Sequence, residues 1–112
     1  MAKYSFRKAE KLLAWPEFQN VLNNGRKKRI NSICTVAWLP NRLGRKRWGI
    51  VASKKVGIAV ARNRAKRKIR EVCRLNKHKI KPALDIVIIV GKRSVDLPFS
   101  ILEKRIVQVL EV

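Results

Sequence analysis

The stretch from Ala59 to Leu75 holds the residues best suited to chemistry: Arg62, Arg64, Lys66, Arg67, Lys68, Arg70 and Arg74, opposed only by Glu71. At helical spacing Ala61, Ala65, Ile69, Val72 and Cys73 share one face, about 100° of arc, and the cations take the rest. Solvated helix faces usually mix signs, because opposite charges four residues apart stabilise a helix and like charges destabilise it. Here Arg62, Lys66, Arg70 and Arg74 form a like-charged row, costing a few tenths of a kcal/mol per pair. The compensating charge must come from outside. A docked helix with cations facing outward suits a polyanion, and nucleic acid is the first candidate.

The chain has 112 residues, 28 Lys and Arg against seven Asp and Glu, and a formal charge of +21. Its 46% hydrophobic content is ordinary for a globular chain, so charge has not displaced the core. The seven acids are scattered, and none is paired with the single histidine, His78, or with a nucleophile. A phosphate-cradling glycine loop is absent, as are CxxC and HxxxH spacings. The expectation is a binding protein with no catalytic residue and no metal site of its own. Cys34 and Cys73 sit in apolar-patterned segments and read as buried and reduced, which fits a cytoplasmic home. The basic start lacks a secretory apolar segment, and Ile86–Val90 is too short to span a bilayer.

The elements that must position the basic stretch follow from pattern and punctuation. Residues 1–13 are basic and aperiodic, and read as a partly disordered segment of one domain covering 1–112. Pro16, Glu17 and Gly25 punctuate a short first helix, with Phe18, Val21 and Leu22 on one side and Gly25 in the left-handed C-terminal position. Arg29 to Leu39 alternates as a strand. A basic loop through Pro40, Asn41 and Gly44 leads to a second strand, Arg47 to Ser53, antiparallel to the first because the connection is short. Gly57 turns the chain into the basic helix. Asp85 to Val90 reads as a strand covered on both faces. Ser100 and Glu103 form a capping box for a last helix facing inward through Leu102, Ile106, Val109 and Leu110. The order helix, strand, strand, helix, strand, helix predicts an α+β sandwich.

SKKVGIAVARNRAKRKIRE, Ser53 to Glu71, resembles the signature of the protein subunit of bacterial ribonuclease P. PEFQNVLNNGRK resembles that family's first helix and ALDIVIIV its last strand, so the likeness covers nearly the whole chain. Two departures stand out. Ile58 replaces a small polar residue and leaves the basic helix without a side-chain cap, and Leu22 replaces a second aromatic. The resemblance implies a ribosomal-protein-like α-β sandwich with a left-handed βαβ crossover, opposite to the usual hand. It implies a ribonucleoprotein endonuclease that removes the 5′ leader from precursor tRNA. The RNA subunit carries the chemistry with divalent magnesium, and the protein binds no cofactor. The implied partners are that RNA subunit and precursor tRNA, with no membrane and no DNA.

Arg62, Asn63, Arg64, Lys66, Arg67 and Arg70 match the motif and are assigned to the RNA subunit. Arg64, Arg67 and Arg70 lie farther from the apolar seam and should reach phosphates, whereas Arg62 lies near its edge and can instead brace the helix. Asn63 suits a sugar or base edge and equally a backbone group. Lys54 and Lys55 would meet phosphate at the turn before the helix. The leader is assigned to Phe18 and Leu22, joined by Ile33 or Val36 according to which strand face is open, with Arg26 and Lys27 nearby. Aromatic stacking within a basic groove is how single-stranded RNA is commonly held. Rival readings are a ribosomal protein and a DNA-binding protein that lays the basic helix in a major groove; against DNA, only Asn63 is a plausible adenine reader. An enzyme in its own right lacks candidate residues.

Overall fold

The computed structural model describes residues 14–30, 33–80 and 83–110; the basic segment 1–13 lies outside them. In chain order the elements are α1 (Trp15–Asn24), β1 (Arg26–Ile30), β2 (Cys34–Pro40), β3 (Arg47–Val51), α2 (Ala59–Asn76), β4 (Leu84–Val90) and α3 (Phe99–Leu110). Short 3-10 turns occupy Lys54–Val56, Lys77–Lys79 and Lys92–Val95. The four strands form one mixed sheet in the order β1-β2-β4-β3. The α+β class and its three helices agree with the sequence reading, and two features of the sheet correct it.

The strand expected over Arg29 to Leu39 is a hairpin. β1 pairs antiparallel with β2, Ile30 opposite Cys34, and Ile33 N–H donates to Ile30 C=O at 2.9 Å to close the reversal. Alternation continues across a tight turn, so the pattern hides it. The run Arg26 to Arg29 is an edge strand, where cations discourage pairing with another chain.

β2 and β3 are not neighbours. β4 lies between them, antiparallel to β2 and parallel to β3. Its unbroken apolar run can be covered on both faces, so it takes the centre. The connection after β2 therefore passes the end of β4, and Asn41 holds it there. Asn41 N–H donates to Ala83 C=O at 2.8 Å, and its Nδ2 donates to Arg45 C=O at 3.0 Å and to Asp85 Oδ1 at 2.8 Å.

The sheet is covered unequally. On one face α2 and α3 bury the larger core, which includes Val36, Ile69, Val72, Ile86, Ile88, Leu102 and Ile106. On the other, α1 covers a smaller patch through Val21, Ala37 and Val87. Cys34 and Cys73 are buried free thiols of the larger core; burial pushes the Cys34 thiol up to about 12 and raises that of Cys73 as well. Both are neutral thiols at physiological pH.

Two end signals act differently from their sequence reading. Gly25 is extended (φ −88°, ψ 174°), not left-handed. It is needed because a Cβ there would sit 2.5 Å from Trp38 O and 2.6 Å from Val21 O. Ser100 falls inside α3, which starts at Phe99, while Glu103 accepts a hydrogen bond from Asn76 Nδ2 at 2.9 Å. The expected capping box is thus replaced by a link from the end of α2 to α3.

Candidate nucleic-acid interface

The seam of α2 is the one its periodicity predicts. Ala65, Ile69, Val72 and Cys73 are buried, and Ala61 is half-buried at the first turn. Polar anchors fix the helix at its middle and at its C-terminal end. Lys68 Nζ donates to Val95 C=O at 2.8 Å and Leu97 C=O at 3.2 Å, which tethers α2 to the segment before α3. Asn76, 4% exposed, donates to Val72 C=O at 2.8 Å as well as to Glu103. Neither role is visible in the sequence, where Lys68 looks like one more cation and Asn76 like a loop residue.

Asn63, Arg64, Arg67 and Arg70 are exposed, and Arg62 and Lys66 are half-buried flanks. Among the described residues, none of these five cations makes an ion pair or side-chain hydrogen bond. Arg74 differs. It pairs with Glu71, whose carboxyl it holds below the usual carboxylate range, so the like-charged row ends at Arg70. Ile58 is the N-cap of α2 and supplies no side-chain cap. The first amides of the helix are therefore left for water or for an anion. Gly57, at φ 146°, makes the turn before it, and Lys55 stands exposed in the preceding 3-10 turn, which also contains Lys54.

A second surface lies across the sheet, beside α1. Register places three cross-sheet rows on this face: Arg47–Asp85–Leu39, then Gly49–Val87–Ala37–Lys27, then Val51–Ile89–Thr35–Arg29. α1 lies over the first two. Arg47 donates from Nε to Asp85 Oδ1 at 2.8 Å and from Nη2 to Asp85 Oδ2 at 2.7 Å, and its third nitrogen bonds Glu17 of α1. This clamp draws one flank of α1 onto the first row. Phe18 settles on Gly49, where a Cβ would come within 2.5 Å of its ring.

The opposite flank of α1 presents Trp15, Phe18 and Leu22 at helical spacing toward the third row. Phe18, Leu22, Thr35, Val51 and Ile89 are all half-buried, so the helix flank and strand row form the walls of an open apolar cleft. Trp15 is 58% exposed, with its ring centroid 6.0 Å from that of Phe18 in an edge-on arrangement. Lys27 and Arg29 share the cleft face at one end. At the other end Val51 leads through Ser53 to Lys55 and the start of α2.

The sequence assignments divide on this geometry. Phe18, Leu22 and Lys27 belong to the cleft. Ile33 and Val36 do not: they are 4% and 0% exposed in the core beneath α2 and α3. Arg26 alternates to that same opposite face, opposite Trp38. Thr35, Val51 and Ile89 take the places expected of Ile33 and Val36, and they could be found only once β4 was known to sit between β2 and β3. Gly49→Ala is expected to lower stability by about 1–3 kcal/mol and dislodge Phe18 from the cleft wall. Denaturant midpoints and Phe18 ring signals in NMR check it.

The Ribonuclease P family profile matches residues 6–112. The ribonuclease P protein component of Desulfosudis oleivorans is 38% identical over 109 residues, covering 96% of this chain and 88% of the relative. The RNase P protein of Staphylococcus aureus superposes with a TM-score of 0.80 at 31% identity, over 93% of this chain and 94% of that one. The Thermotoga maritima protein gives 0.81 at 29% identity, over 91% and 96%.

Proposed function

The chain belongs to the ribonuclease P protein family, and from that we propose that α2 binds the catalytic RNA subunit while the cleft beside α1 holds the 5′ leader of precursor tRNA. The observation that carries the reading is the set of outward cations on α2 without an internal partner. Arg64, Arg67 and Arg70 contact phosphates, Arg62 and Lys66 flank them, and Asn63 reaches a sugar or base edge. Exposed Lys55 extends this surface toward the cleft, and Lys54 is assigned to the RNA subunit with it. Binding releases condensed counterions, so affinity for the RNA subunit falls steeply with salt, by roughly 10³-fold between 50 and 200 mM for six or more contacts.

The RNA subunit supplies the hydrolytic chemistry with magnesium, and this chain supplies binding and orientation. Four of its five described carboxylates are engaged, Glu17 and Asp85 by Arg47, Glu71 by Arg74 and Glu103 by Asn76, and the fifth, Asp96, stands alone on the surface. The cleft stacks leader bases on Phe18 and Trp15, with Lys27 and Arg29 meeting the backbone. Precursor has a leader and mature tRNA does not, so the particle favours substrate over product. RNA rather than DNA is the proposed partner, because α2 offers cations around its outer face and only Asn63 as an adenine reader. No described helix is long and apolar enough to cross a membrane; the particle is assigned to the cytoplasm.

Phe18→Ala is expected to reduce the preference of the holoenzyme for leader-bearing over mature tRNA about tenfold, from the loss of one stacking contact. RNA-subunit affinity changes little. Thr35→Glu, at a half-buried position on the facing strand row, does the same by repulsion. Equilibrium binding of both tRNAs to reconstituted holoenzyme decides it. Unchanged preference in both variants would overturn the cleft assignment.

A further inference from the structure

The sheet face away from α1 carries a groove that opens at the β1 edge, where Lys27 and Arg29 of the leader cleft also border it. It runs between the edge strand β1 and the last turns of α3, with a volume of about 880 Å³. Its floor is Ile30, Trp38 and Val109, and Arg26, Lys28 and Arg105 stand around it. Among the described residues no carboxylate lines it. Trp38 also borders a neighbouring depression at Gly25, Pro40 and Leu84, so the half-buried indole is reached from both.

Edge protection accounts for cations on β1. It does not account for Arg105, which comes from a helix, or for an accessible indole between them. A trough with an aromatic floor and cationic walls is the arrangement that binds single-stranded nucleic acid, with bases stacked on the ring and phosphates against the cations. An acidic peptide would satisfy the charges but would leave the indole without a flat partner. We propose that this groove is a second RNA site, taking a single-stranded segment by stacking one base on Trp38 while Lys28 and Arg105 hold the flanking phosphates. Trp38, Lys28 and Arg105 lie on the other side of the sheet from Phe18, and the two sites share only Lys27 and Arg29 at the β1 edge.

Trp38 reports on its own occupancy. In a full-length Trp15→Phe background the remaining tryptophans are Trp38 and the buried Trp48. A six-nucleotide oligoadenylate is expected to quench the accessible emission saturably, whereas inorganic polyphosphate, which cannot stack, leaves it unquenched. Lys28→Glu with Arg105→Glu raises the midpoint at least tenfold. Lys92→Glu with Arg93→Glu, the same charge change at exposed positions outside the groove, raises it less than threefold. The cleft variant Phe18→Ala leaves it in place, which separates this proposal from the leader assignment. Quenching by the RNA subunit alone would place the strand in that subunit, and quenching only on adding precursor tRNA would place it in the substrate. Absence of quenching by oligoadenylate, or equal weakening by the two charge-reversal pairs, would overturn the proposal.

Discussion

Arg64→Glu combined with Arg67→Glu folds normally and binds the RNA subunit about 100-fold more weakly at roughly 100 mM salt. Folding is preserved because both side chains are exposed and neither has a partner among the described residues. Reversal even relieves some repulsion, since it places carboxylates within a turn of Arg70 and Lys68. Binding suffers twice. Two phosphate contacts disappear, lowering the slope of log affinity against log salt by about two, and two anions are set against a polyanion. Filter binding across a salt series measures both effects. A control at Arg74, already paired with Glu71, should lose much less. An equal loss there would mean that net charge, and not the outward face of α2, governs affinity.

Asp85→Ala produces the largest loss of stability outside the apolar core, on the order of 3 kcal/mol. The Asp85 side chain is 6% exposed and takes two hydrogen bonds from Arg47 and one from Asn41. Removing it leaves a guanidinium, itself only 19% exposed, with Glu17 as its remaining described carboxylate. An uncompensated charge costs more than the pair contributes, because the desolvation remains after the attraction has gone. For a chain of this size the melting temperature should fall by roughly 15 °C. The same residues clamp α1, so leader preference should decline further than RNA-subunit affinity does. Asp85→Asn, which can still accept hydrogen bonds, should fall between. Calorimetry together with the two binding assays separates these effects, and a melting temperature within a few degrees of the parent would show that the clamp is not structural.

How much of this was readable in the sequence depended on the range of the interactions involved. The α2 seam was readable because eighteen residues of one helix repeat a local pattern, and Ala65, Ile69, Val72 and Cys73 are buried as that pattern requires. The family likeness was readable for a related reason: SKKVG and RNRxKRxxRE are contiguous. The sheet order was not, since nothing local says that β4 inserts between β2 and β3. That insertion decides which side chains stand beside α1, and it moved the cleft wall from Ile33 and Val36 to Thr35, Val51 and Ile89. The β1 hairpin was missed because alternation reads the same through a reversal. Gly25 reads locally as a left-handed helix stop, whereas its real constraint is the close approach of Trp38, on β2. Lys68, Asn76 and Arg47 look like surface polar residues, and the partners that anchor them to other elements lie 27 to 38 positions away.

In the proposed particle the outward face of α2 and the cleft beside α1 divide the labour between RNA subunit and leader. Photocrosslinking from single positions in assembled holoenzyme tests it most directly, with a photoreactive phenylalanine analogue at position 67 or at position 22 and precursor tRNA bound. Position 67 should label the RNA subunit, and position 22 should label the leader and lose its product when mature tRNA replaces the precursor. Both positions labelling the same RNA, or position 22 labelling equally well without a leader, would contradict the account.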